Sequence, residues 1–127
     1  MDKILLDTHA LIWWSVGARE LSRKVTRLIE SDAVGVFVSA ASAWEIATKV
    51  RLGKLRWKGP ESVESYCLDQ GFERLAVTFA HAERAGSWPQ GHGDPFDRML
   101  AAQSDRERMP IVTNDPKIEL FGVETIW

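Results

Sequence analysis

Short apolar runs and longer stretches of helical spacing alternate along the chain. The runs Lys3-Ile4-Leu5-Leu6, Val34-Gly35-Val36-Phe37-Val38 and Pro110-Ile111-Val112-Thr113 are too short for helices and stop at turn or capping residues, so each predicts a buried strand. Leu75 to Val77 predicts another short strand, and Val123 to Trp127 an edge strand. Between them the period changes. Glu20 to Ser31 carries Leu21, Val25, Leu28 and Ile29 at helical spacing with charges between them, which predicts an amphipathic helix over a core. Further helices are predicted over His9 to Ser15, Ser39 to Leu52 with Gly53 ending it, Pro60 to about Gln70, Phe79 to Ala85, and from Asp94 onward, with a loop over Trp88 to Gly93. Strands alternating with helices predict an α/β fold with a mainly parallel sheet and right-handed crossovers.

The chain has 127 residues, of which 45% are hydrophobic, enough for one domain over 1–127 with a real core. A net charge of −2 excludes a broadly basic nucleic-acid binder and leaves any polyanion to be met by a local patch. The lone Cys67 excludes an internal disulfide, and no run approaches a membrane span. The first residues reach Asp7 too soon for a signal-peptide core, so a reducing cytoplasm, with no membrane partner, is the expected location.

The chemistry concentrates on acids. In Asp94-Pro95-Phe96-Asp97, Asp94 suits an N-cap and Pro95 the first helical position, with both carboxylates in the positive end of the helix dipole. A capping box favours Glu or Gln at the third position, because the longer side chain reaches back to the cap N–H. Asp97 reaches poorly, which leaves its carboxylate to face outward. Asp7 follows the first strand and Asp115 the fourth, at the sheet edge where parallel sheets bind ligands. Asp97 early in its helix and Glu45 two turns into another are placed to lean over the same edge.

Each acid has a purely structural reading too. Asp7 and Asp115 suit helix caps, and Glu45 suits an ion pair with Lys49 four positions on. Yet Glu45 stands in Ala40-Ala41-Ser42-Ala43-Trp44-Glu45-Ile46-Ala47, where nearly every neighbour is small or apolar. Four carboxylates at one edge repel one another unless a hard divalent cation joins them. All-oxygen donors without His or Cys at metal spacing favour Mg2+ or Mn2+ over zinc. Such a site activates water and neutralises charge in an in-line displacement, so a phosphodiester is the fitting substrate. Asp7 and Asp97 are then the first metal ligands, Glu45 a ligand or water-orienting base, and Asp115 a supporting or second-cation carboxylate. The hydroxyls of Thr8 and Thr113 are placed to bond these carboxylates, and equally to cap a helix.

Leu5-Leu6-Asp7-Thr8-His9-Ala10-Leu11, Ser42-Ala43-Trp44-Glu45-Ile46, Asp94-Pro95-Phe96-Asp97-Arg98-Met99-Leu100-Ala101-Ala102-Gln103 and Val112-Thr113-Asn114-Asp115 resemble the successive motifs of PIN-domain proteins, specifically the VapC-like toxins of bacterial toxin-antitoxin pairs. The resemblance spans the chain. It implies a three-layer α/β/α fold, the quartet Asp7, Glu45, Asp97 and Asp115 as catalytic metal ligands, magnesium-dependent cleavage of RNA, and an antitoxin protein as partner. Asp94 lies outside that quartet. The fourth motif departs from the family where Pro116-Lys117 replace a further acid and an aromatic residue.

Substrate binding needs positive charge. Lys49, Arg51, Lys54, Arg56 and Lys58 follow Glu45, with Trp57 among them, and Arg98 follows Asp97. This is a phosphate-tracking strip with one stacking ring, although solvated cations after a helix give the same pattern. Trp44 is expected in the core, while Trp13, Trp14 and Trp57 suit a homodimer or antitoxin surface. Two other readings compete. A phosphoacceptor or phosphatase using Asp7 as nucleophile lacks the acidic pair, late Lys or second Asp that such proteins require. A non-catalytic PIN-fold interaction module has little reason to carry four acids at one edge.

Overall fold

The computed structural model describes residues 2–59, 62–89 and 92–127. β1 (Lys3–Leu6), buried from Ile4 onward, runs between β2 (Gly35–Ser39) and β4 (Ile111–Val112) and parallel to both. With β3 (Glu73–Leu75) and β5 (Thr125–Ile126) at the edges, the sheet has five strands, all parallel, in the order β3-β2-β1-β4-β5.

Successive strand residues point to opposite faces, so Ile4 and Leu6 enter one apolar cluster and Leu5 another. The first cluster includes Leu11 of α1 (Thr8–Val16), Val25 and Ile29 of α2 (Arg23–Glu30), Ile46 of α3 (Ala40–Arg51) and Cys67 of α4 (Val63–Gln70). α5 (Phe79–Ser87) packs against α6 (Pro95–Glu107). Leu100 of α6 and Ile118 of the short α7 (Pro116–Glu119) join Leu5 in the second cluster. Helices therefore cover both faces, and the three-layer arrangement follows from the alternation within β1. No helix among the described residues is long and apolar enough to cross a membrane.

Most helix starts lie where small polar residues precede an apolar face. Ser22, Ser39, Ser62 and Thr78 each accept an N–H from the first turn that follows. Two boundaries differ from the pattern. α2 begins after Ser22 because that side chain caps it, leaving Leu21 outside the helix though still in the core. β3 lies two residues before Leu75–Val77, pairing Glu73 with Phe37 and Leu75 with Ser39. It is an edge strand with exposed Glu73 and Arg74, so its backbone pairing, not an apolar run, sets its position. Pro60, expected to open α4, is outside the described residues, as are Gln90 and Gly91 of the expected loop.

From β1 the chain adds β2 and β3 on one side, then returns to add β4 and β5 on the other. The carboxyl ends of β1 and β4 thus border the point where strand order reverses, the crevice in which open α/β sheets bind ligands.

Candidate active site

Asp7 is the first residue after β1. Its N–H donates to Val112 O at 3.1 Å, and its Oδ1 accepts the Ala10 N–H at 2.7 Å, capping α1. Burial pushes its carboxyl up, against the downward pull of hydrogen bonds from Thr113 and the Ala10 N–H. Glu45 is buried on α3 beside Ala41, Ser42 and Ile46. Its Oε2 stands 2.7 Å from Lys49 Nζ, while Oε1 is buried without a hydrogen bond.

At the start of α6, Asp94 Oδ1 accepts the N–H groups of Phe96 at 2.9 Å and Asp97 at 3.0 Å. The reciprocal bond of a capping box is missing, because the Asp94 N–H donates to His92 Nδ1 at 3.3 Å instead. Asp97 is left to face the crevice. His92 Nε2 lies 3.1 Å from its Oδ2, at ion-pair distance but not aligned for a hydrogen bond. The Asp97 carboxyl is pushed up to about 6, first by burial, then by the charge of Asp94, with Glu45 and Asp115 adding to it and His92 opposing. Asp115 follows β4, takes its N–H to Thr113 Oγ1 at 3.0 Å, and caps α7 through the Lys117 N–H at 2.9 Å. Capping and exposure to the crevice are therefore compatible for Asp7, Asp94 and Asp115.

These residues share one cleft of ≈ 210 Å3, lined by Asp7, Glu45, Asp94, Asp97 and Asp115 together with Thr8, His9, Lys49, His92 and Lys117. The four sequence-identified acids thus come together from four separate segments. Among the described residues, no three acid, His or Cys side chains already stand in the arrangement of a closed metal cage. The donor set nevertheless fits a hard divalent cation: oxygen donors predominate, one buried oxygen of Glu45 lacks a partner, and burial with carboxylate repulsion favours a proton on Asp97 that a cation would replace.

Several expectations need correction. Thr113 does bond Asp7, but the Thr8 hydroxyl donates to Ser42 Oγ at 3.0 Å and so braces α1 against α3. Arg98, expected on the phosphate strip, turns inward: its guanidinium donates to Ala85 O at 2.8 Å, His92 O at 3.1 Å and Trp88 O, pinning the chain before α6. Trp44, expected in the core, is 63% exposed, because the inward face of α3 carries Glu45 in its place. Trp13 meets Trp127 edge-on, Trp14 donates to Gln70 Oε1 at 2.9 Å, and Trp57 meets Tyr66 edge-on, so all three have partners within the chain. Of the cations, Lys49 lines the cleft, whereas Lys54 and Arg56 line a separate open groove with Trp57, and Arg51 is exposed at the end of α3. His9, His92 and Lys117 are cleft residues that the acid pattern did not mark; the only signal was their closeness in sequence to Asp7, Asp94 and Asp115.

The sequence profile of the PIN domain matches residues 4–123. The chain is 28% identical over 119 residues to Ribonuclease VapC22 of Mycobacterium tuberculosis, covering 93% of this chain and 91% of that protein. Among solved structures it is similar to a toxin-antitoxin complex from Klebsiella pneumoniae, with TM-score 0.65, 16% identity and coverage of 98% of this chain and 96% of that one. It is also similar to VapBC2 from Rickettsia felis bound to a DNA fragment from its promoter, with TM-score 0.66, 14% identity and coverage of 98% and 97%. DNA-bound VapBC from Salmonella typhimurium gives TM-score 0.65 at 17% identity, covering 99% and 98%. At these identities the solved structures bear on the fold, which they share over nearly its full length, and the profile match makes this chain a member of the PIN-domain family.

Proposed function

We propose that this chain is a metal-dependent endoribonuclease acting as the toxin of a toxin-antitoxin pair, with Asp7, Glu45, Asp97 and Asp115 as its catalytic carboxylates. The observation that carries this reading is the convergence of those four acids on one cleft at the strand-order reversal, in a chain resembling a ribonuclease along nearly its whole length. Mg2+ is the expected cofactor, with Mn2+ as its substitute. Asp7 and Asp97 would hold it, with Asp115 alongside. When bound, it supplies Lewis acidity toward a phosphodiester and neutralises charge developing in an in-line displacement. Glu45 Oε1 accepts a proton from the attacking water, and Lys49, 2.7 Å from Oε2, orients that carboxylate. Thr113 fixes Asp7 from behind. Arg51, Lys54 and Arg56, with Lys58 beyond them, bring RNA phosphates toward an otherwise repulsive cleft. An antitoxin protein is the partner this role requires, and a homodimer is its expected assembly.

The test is cleavage of a single-stranded RNA by the purified chain with magnesium, with excess chelator, and with an Asp7→Asn variant. Cleavage by the parent with magnesium alone is expected, and Asn should leave the α1 cap in place. Equal cleavage by the variant, or cleavage that survives the chelator, overturns the assignment.

A further inference from the structure

Beside the carboxylate cleft lies a larger, almost wholly apolar groove of ≈ 400 Å3. The same two helices line both. On α3, Trp44 faces the groove and its neighbour Glu45 the cleft; on α6, Phe96 faces the groove and its neighbour Asp97 the cleft. Consecutive helical residues differ by a rise of about 1.5 Å along the axis and a turn of about 100° around it, so the aromatic and acidic surfaces meet along one ridge. Trp44 is 63% exposed and touches Phe96 edge-on, with ring centroids 4.7 Å apart. An indole with so much apolar area is seldom left this open without a partner. Across the groove, Ala85 and Gly86 of α5 keep the wall low, and a Cβ built on Gly86 meets nothing within 4 Å.

We propose that this groove is a nucleobase pocket, in which Trp44 and Phe96 receive the base of a nucleotide flanking the phosphate held at the carboxylate cleft; the proposal rests on the nuclease reading above. A phosphodiester at Glu45 and Asp97 has a flanking base one sugar away, and the rings next along the two helices are where that base arrives. The groove is lined by rings and aliphatic groups with few polar atoms, and its one charged lining residue, Arg98, turns its guanidinium to the carbonyls of Ala85 and His92, so it recognises a base by stacking and not by hydrogen-bonded readout. It therefore takes any base, preferring the larger stacking surface of purines, and it requires the base to be unpaired. A base is also the part of RNA that the neighbouring carboxylates do not repel. Trp44 is then a specificity residue for unpaired RNA beside the cut.

The test is equilibrium binding of a short single-stranded RNA carrying a fluorescent purine analogue at each position in turn, compared with the same RNA made abasic there. The protein is the full chain with Asp97→Asn, so that RNA is bound without being cut. At one position next to the cleft, the analogue should be quenched on binding, and the abasic RNA should bind roughly 5- to 100-fold more weakly. Adding Trp44→Ala should abolish the quench and remove the difference between the two RNAs, while Trp44→Phe should keep part of both. Gly86→Leu, which fills the groove while leaving the Trp44 residue unchanged, should act like Trp44→Ala, with thermal melts confirming that both variants fold. Equal binding of intact and abasic RNA by the parent overturns the proposal. So does retained RNA binding by both groove variants together with lost capture of the antitoxin, which would make the groove a protein-docking surface. Base-dependent binding by a chain that cuts no RNA with Asp97 intact sustains the pocket and removes the nuclease reading alone.

Discussion

Lys49 Nζ sits 2.7 Å from Oε2 of Glu45, on a carboxylate whose other oxygen is buried without a hydrogen bond. The ion pair expected of a solvated helix surface is present, but it is anchored at the wall of a cleft. Lys49→Met should leave a buried acid without its counter-charge and lower stability near neutral pH by about 1–2 kcal/mol, less than for a fully buried pair because the lysine is 35% exposed. Magnesium should restore much of the loss by supplying the missing charge. Melts of parent and variant with and without magnesium check this; a variant as stable as its parent without metal would show that the pair contributes nothing.

The Asp97 carboxyl, pushed up to about 6 from an ordinary 3.8, gives the metal-free chain a specific pH dependence. The folded chain holds this proton where the unfolded chain has released it. Its contribution to stability is therefore complete below about pH 4 and is lost as pH rises through about 6, by up to roughly 3 kcal/mol. Asp7, raised by burial, slopes the same way. Asp97→Asn should flatten the curve over that window. Magnesium should raise the melting temperature more near pH 7 than near pH 5, where it competes with the proton. A flat pH–stability curve for the metal-free parent would contradict the crowded-carboxylate picture.

Asp97→Asn separates catalysis from capping. The capping work at this helix start belongs to Asp94, and the bond that would make Asp97 its reciprocal partner goes to His92 instead. Asn should change stability by no more than about 1 kcal/mol while abolishing RNA cleavage, because it removes a full charge from the donor set. Cleavage of a single-stranded RNA at fixed magnesium, paired with thermal melts, reads both. Retained cleavage would return Asp97 to a helix-start role.

The acids were legible in the sequence because the backbone dictates their positions. A residue that ends a parallel strand and caps the next helix, as Asp7 and Asp115 do, has little choice of where to stand. Asp97 was legible because its side chain is too short for the job its position suggests. What the sequence hid is orientation about helix α3. Hydropathy places Trp44 inside, yet it stands 63% exposed, because the inward stripe of that helix carries Glu45 and ends at the cleft. Arg98 misled for a related reason: its neighbour Asp97 points into the cleft, but one residue further around α6 the side chain meets open backbone carbonyls. β3 was displaced because an edge strand owes its place to pairing with β2, a relation invisible to local pattern.

The final prediction concerns Lys54 and Arg56, which follow α3 and line an open groove with Trp57, away from the carboxylate cleft. If they follow the RNA backbone, changing both to Gln should weaken binding of single-stranded RNA of any sequence and lower the slope of log K against log salt by about 1.4, near 0.7 for each phosphate that is no longer neutralised. Stability should barely change, because both are exposed and lie beyond the last turn of the helix, where the dipole's influence has faded. The strip differs in this from the Trp44 groove, whose removal should weaken binding in a base-dependent way and leave the salt slope nearly as it was. Titrations of parent and double variant over a series of salt concentrations distinguish the two. An unchanged slope would make the strip solvated surface and leave Lys49, Arg51 and the cleft's own Lys117 as the cations that meet the RNA.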